Sequence, residues 1–110
     1  MDLTVADRAW LGAYRQALDE QFPGLVEDLV LFGSKARGTA TPDSDLDLLV
    51  IIREGEWRLK DKVALTGYEL EFGTGVVASI IVLTREEWAL HRERQAPFWV
   101  TVTRDGVAAG

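Results

Sequence analysis

The 110 residues carry 47% hydrophobic and 27% charged side chains, a globular composition that excludes disorder and fits one domain, residues 1–110, with a single modest core. Eighteen acids against twelve Lys and Arg leave a net charge of −6, which argues against general binding of nucleic-acid backbones. There are no cysteines, so disulfides and thiolate metal sites are excluded, and the expected location is the cytoplasm.

The N-terminal stretch MDLTVADRAW has early acid and no basic segment leading into an apolar one, so it does not read as a signal peptide. Thr4, with Asp7 three residues on, makes a capping arrangement. Ala6, Trp10, Ala13, Tyr14, Ala17 and Leu18 then recur at helical spacing and predict an amphipathic helix over 5–21, ended by Pro23-Gly24. Leu25 to Phe32 reads as a strand with a buried far end. Gly33 to Ser44 is turn-rich, with at most one helical turn around Lys35–Gly38.

Leu46 to Arg53 is the clearest strand, continuous and β-branched, as expected when both faces are covered. Residues 58–72 fit a helix through Leu59, Val63 and Leu70, although Tyr68 to Phe72 also alternates like a strand. Val76 to Leu83 is a third strand, and Thr84-Arg85-Glu86-Glu87 is a capping box that opens a helix to about Arg94. Phe98 to Thr103 is ambiguous between strand and helix, and Gly106 to Gly110 reads as a loose tail. The fold class expected is α/β (α+β): a small mixed sheet of three to four strands with helices packed on it. The apolar runs Leu48–Ile52 and Val76–Leu83 are far too short to span a membrane.

The chemistry concentrates between Leu31 and Ile52, LFGSKARGTATPDSDLDLLVII. Residues i and i+2 of a strand share a face, so Asp45 and Asp47 project together while Leu46 and Leu48 enter the opposite layer. Two carboxylates so close repel, and a divalent cation between them relieves the repulsion; hard oxygen ligands suit Mg²⁺, which also takes substrate phosphates. Gly33 lets the backbone turn and approach a ligand. A helical turn from Ser34 would add free N–H groups and a hydroxyl as an anion cradle, with Lys35 and Arg37 adding positive charge. A phosphate cradle facing a metal-binding carboxylate pair is what nucleotidyl transfer requires.

Plainer readings stand beside these. Pro42-Asp43-Ser44-Asp45 is ordinary turn chemistry. Ser34 could be a helix cap, Lys35 a solvated side chain, and His91 a surface residue. Trp10 and Trp88 fit core faces of helices, whereas Trp57 and Trp99 lie near breaks, where either could join a partner-binding patch.

Gly33-Ser34, ten residues, then Asp45-Leu46-Asp47 resembles the signature of the DNA polymerase β nucleotidyltransferase superfamily. The longer string GSKARGTATPDSDLDLLV is similar to its smallest members, the minimal nucleotidyltransferase (MNT) domains, which often act as antitoxins beside a helical HEPN-type partner. The resemblance implies that Gly33 and Ser34 bind the triphosphate of ATP or another NTP, with Lys35 and Arg37 beside them, Arg37 as a loop anchor or phosphate contact. Asp45 and Asp47 would be the catalytic, Mg²⁺-holding pair. It implies transfer of a nucleoside monophosphate, commonly AMP, to a hydroxyl acceptor, and a HEPN-type protein or a second copy as partner. Catalytic members carry a third carboxylate on a neighbouring strand. Here that strand is GVVASIIVL, without an acid, and Ser79 stands where an aspartate is expected. Glu69 and Glu71 are the nearest upstream acids, and they could substitute only if their segment is a strand reaching the site. Two functions therefore stay open, a transferase or a nucleotide-binding, antitoxin-like subunit with weakened catalysis, with a purely structural domain as a weaker third.

Overall fold

In the computed structural model, which describes residues 1–41 and 43–109, a four-stranded mixed sheet separates two helical layers. The elements are α1 (Val5–Gln21), β1 (Val26–Phe32), α2 (Gly33–Arg37), β2 (Leu46–Ile52), α3 (Trp57–Glu69), β3 (Ala78–Thr84), α4 (Arg85–Glu93), α5 (Pro97–Asp105) and β4 (Val107–Ala108). Strand order is β3-β2-β1-β4: β1 runs antiparallel to both β2 and β4, while β3 runs parallel to β2 through the α3 crossover.

Alternation along β2 divides the core. Leu46, Leu48, Val50 and Ile52 face Trp10, Leu11, Tyr14 and Leu18 of α1 and Val63 of α3. Leu49 and Ile51 face the other way, toward Val102 and Phe98 of α5 and Trp88 of α4. β2 is thus covered on both sides, which is why its sequence is an unbroken apolar run after Asp47. The polar tips of the largest core aromatics are also used: Trp10 Nε1 donates to Gly67 O at 3.0 Å and Tyr14 Oη donates to Val63 O at 2.7 Å, tying α1 to α3.

Both expected capping boxes form, Thr4 with Asp7 and Thr84 with Glu87. Three expectations need correction or resolution. The 58–72 segment is helical to Glu69 and then turns, so Tyr68 to Phe72 is not a strand. The Phe98–Thr103 stretch is helix α5: Pro97 occupies its first turn, and Phe98 and Val102, one turn apart, pack on the sheet. Within the expected tail, Val107–Ala108 pairs with Leu31 and Val30 as β4, and Ala109 N donates to Leu29 O at 2.7 Å; Gly110 lies outside the described residues.

The free edge of β3 is closed by side chains. The amide of Ala78 donates to Glu71 Oε1 at 2.6 Å, that of Ile80 to Tyr68 Oη at 3.0 Å, and that of Thr84 to Glu87 Oε1 at 2.8 Å. Glu71 is therefore committed to the strand edge and does not reach the carboxylate pair as a substitute acid.

Candidate active site

The end of β1, the short α2 and the start of β2 converge on Asp47. Phe32, the last residue of β1, pairs in register with Asp47, and Gly33 follows at φ +77°, in the left-handed region. A Cβ at Gly33 would overlap Asp47 Oδ2, so the chain turns directly against the carboxylate, and any larger residue would have to displace it. Ser34 is not a cap. The N-cap of α2 is Phe32, no side chain caps the helix, and Ser34 Oγ makes no hydrogen bond among the described residues.

Asp47 is half-buried and Asp45, just outside the strand, is exposed. Neither makes an ion pair or side-chain hydrogen bond among the described residues. Burial pushes the Asp47 carboxyl above its ordinary value, the Asp45 charge adds to this, and Arg37 opposes it. A pair left in this state suits a divalent cation. No third His, Cys, Asp or Glu joins it among the described residues, a donor set that fits Mg²⁺ completed by substrate phosphates and water rather than an all-protein cage. Pro42, part of the turn preceding Asp45, lies outside the described residues; next to it, Ser44 Oγ accepts from the Thr41 amide at 2.9 Å.

Ser79 is the direct neighbour of Asp47 across the parallel β2–β3 pair, on the same face. Its side chain offers a neutral hydroxyl where a carboxylate would complete a three-acid set.

The two cations after Ser34 are held from outside the motif. Lys35 is not solvated: its Nζ lies 2.6 Å from Asp7 Oδ2, with side-chain exposures of 11% and 3%. Burial raises the Asp7 carboxyl, but hydrogen bonds from Lys35 and Thr4 outweigh it and the net direction is down. Arg37 Nη1 reaches Asp105 Oδ2 of α5 at 3.5 Å, and Asp105 also takes Arg104. A cleft of about 300 Å³ opens beside the Lys35–Asp7 pair, lined also by Ser44, Asp45 and Val77.

On the Asp47 face of the sheet an aromatic wall continues from Phe32. Phe98 meets Phe32 edge-on at 5.4 Å, and Trp88 and His91 meet Phe98 at 6.1 and 6.2 Å. His91 is therefore half-buried, not a free surface residue. Its Nδ1 lies 2.8 Å from Glu87 O, and because a carbonyl only accepts, Nδ1 carries the proton. Trp10 is buried and Trp88 half-buried, as their helical positions imply, and Trp57 is 63% exposed.

Sequence reasoning saw Asp7 only as a capping residue and gave Asp105 no role. Their partners lie 28 and 68 residues away, and no local pattern signals such pairs.

A family model described as the nucleotidyltransferase domain matches residues 11–97. A candidate protein adenylyltransferase of Methanocaldococcus jannaschii is 34% identical over 82 residues, which span 69% of this chain and 78% of that protein. A crystal structure of a toxin–antitoxin with AMP-PNP superposes with a TM-score of 0.58 at 16% identity, covering 91% of this chain and 72% of the other. A candidate nucleotidyltransferase from Sulfolobus solfataricus gives a TM-score of 0.52 at 19% identity, covering 97% of this chain and 87% of the other. At these identities the two structures speak for the fold alone. No helix among the described residues is long and apolar enough to cross a membrane. The motif, the mixed sheet that carries it and the span of the family match agree: this chain belongs to the nucleotidyltransferase domain family.

Proposed function

We propose that the domain binds an NTP, by preference ATP, with Mg²⁺ at the Gly33 turn and the Asp45–Asp47 pair, and transfers its nucleoside monophosphate to a hydroxyl acceptor. The observation that carries this reading is Asp47: a half-buried carboxylate, raised in pKa, without an ion-pair partner among the described residues, pressed against a left-handed glycine turn. Gly33 brings main chain close to a phosphate, Ser34 presents a free hydroxyl, and Lys35 and Arg37 offset phosphate charge. Asp45 and Asp47 hold Mg²⁺, which when bound supplies charge neutralisation on the phosphates. The acceptor oxygen attacks the α-phosphorus, a new P–O bond forms as the bond to pyrophosphate breaks, and the acceptor proton leaves to solvent or to a base on the acceptor. Ser79 cannot take that proton near neutral pH. The reaction then depends on positioning and electrostatics, from which most of the catalysis of phosphoryl-group transfer comes.

A second reading is favoured by one observation, Ser79 beside Asp47 in place of a third acid. In it the domain is a nucleotide-binding, antitoxin-like subunit with weakened catalysis that acts by binding a HEPN-type helical partner. The toxin–antitoxin neighbour lends this reading support at the level of fold.

One experiment separates the two. The protein is incubated with Mg²⁺ and α-labelled ATP, alone and with the product of the neighbouring gene, alongside Asp47→Asn and Ser79→Asp. Transfer by the wild type that is lost in Asp47→Asn supports the enzyme. Binding of ATP without transfer, with transfer gained in Ser79→Asp, supports the subunit. Absence of nucleotide and metal binding by calorimetry sinks both.

A further inference from the structure

We propose that Asp7, outside the nucleotidyltransferase motif, is a positioning residue that fixes the Lys35 ammonium against the phosphates of the bound nucleotide. The inference rests on the reading of the site given above and extends it to a residue of α1.

The pairing is built from both sides. Asp7 Oδ2 accepts from the Thr4 amide at 3.0 Å and from Lys35 Nζ at 2.6 Å. The backbone repeats the link, because the Asp2 amide donates to Lys35 O at 2.8 Å. Closing the Thr4 turn requires only an acceptor at position 7, which a neutral asparagine or serine supplies. The negative charge of Asp7 is therefore surplus to capping, and its use is to counter a buried ammonium.

An ammonium has three protons to donate. Lys35 gives one to Asp7 and has no other protein acceptor among the described residues. Two remain uncommitted, and Lys35 lines a cleft together with Thr4, Ala6, Ser44 and Asp45, one of the two carboxylates read as holding Mg²⁺. Without Asp7, a largely buried ammonium would lose its counter-charge, and the flexible side chain would swing out to water rather than stay. A donor already in place costs nothing to order when phosphate arrives, which is how Asp7 contributes to affinity without touching the ligand.

The test is a double-mutant cycle on the whole chain, read as the affinity for Mg²⁺ and a non-hydrolysable ATP analogue by calorimetry. Lys35→Gln and Asp7→Asn are each expected to weaken binding on the order of tenfold. The double variant is expected to be no weaker than Lys35→Gln, because Asp7 acts only through Lys35. Asp7→Glu is expected to keep part of the affinity. In parallel, acetylation of Lys35 read by mass spectrometry is expected to rise in Asp7→Asn relative to wild type without nucleotide. Should Asp7→Asn fail to fold, Asp7→Ser gives the same cycle. Losses that add to about a hundredfold would mean a general structural effect and overturn the proposal. So would unchanged Lys35 acetylation, or tighter binding in Asp7→Asn, which would make Asp7 a competitor of phosphate. A wild type that binds no nucleotide overturns the site reading and this proposal together, whereas the other adverse outcomes leave the site reading standing.

Discussion

Replacing Gly33 with alanine tests the closest contact in the candidate site, and the protein carries its own control. Gly24 has almost the same backbone angle, φ +73° against +77°, but a Cβ there would meet nothing within 4 Å. In Gly24→Ala the cost is the left-handed conformation alone, about 1 kcal/mol. The entropy that alanine removes from the unfolded chain applies equally at both positions and cancels in the comparison. In Gly33→Ala the same strain is joined by a Cβ placed on Asp47 Oδ2, so the carboxylate must rotate or the turn must shift. Overpacking of this kind costs a further ~1–3 kcal/mol. Because each kcal/mol lowers the unfolding midpoint of a domain this size by roughly 4–8 °C, Gly33→Ala should fall at least twice as far as Gly24→Ala. Displacing Asp47 by an ångström should also reduce nucleotidyl transfer, or Mg²⁺-dependent nucleotide binding, on the order of a hundredfold, with Gly24→Ala near wild type. Thermal unfolding and calorimetry on the pair measure both. Equal midpoints with binding retained in Gly33→Ala would refute the claim that the glycine exists to admit the carboxylate.

Asp47→Asn should raise the unfolding midpoint of the metal-free protein at neutral pH. The folded-state pKa of Asp47 is raised, so wild-type stability falls as pH climbs from the ordinary aspartate value through the raised one. The variant's advantage should therefore vanish in acid, and Mg²⁺ should stabilise the wild type alone; a lower midpoint for the variant in chelator at pH 7 contradicts this. Tyr14→Phe removes the 2.7 Å bond to Val63 O and should cost about 1 kcal/mol in urea unfolding, with no change in nucleotide affinity. Asp105→Asn frees Arg37, whose side chain is 42% exposed, and should tighten nucleotide binding by roughly two- to threefold at low salt, the gain fading as salt is added. Weaker binding would instead make Asp105 a support for Arg37.

The elements written in short-range patterns were legible. Thr4 with Asp7 and Thr84 with Glu87 mark two helix starts within four residues each, and Leu46 to Ile52 declares a strand covered on both faces. Asp45, Asp47, Gly33 and the Ser79 departure were readable because motif spacing and strand alternation are local properties. Packing decided the rest. Phe98 to Thr103 is β-branched enough to suggest a strand, yet α5 forms because Phe98 and Val102 fit one face against β2. β4 exists only because β1 offers an edge from far back in the chain. Lys35 and Glu71 were misjudged or left open for the same reason: their partners, Asp7 and the Ala78 amide, come to them through the fold.

The capped edge of β3 bears on how the protein behaves when concentrated. An open edge strand is a template on which another chain can extend the sheet, and this one carries the apolar run ASIIVL. Three of its amides are already taken by Glu71, Tyr68 and Glu87, so a second chain would have to displace those groups before it could add. Two of the three come from α3 and the turn after it, the same crossover that sets β3 parallel to β2 and Ser79 beside Asp47. The connection that aligns the candidate site therefore also protects the molecule from sheet-to-sheet aggregation.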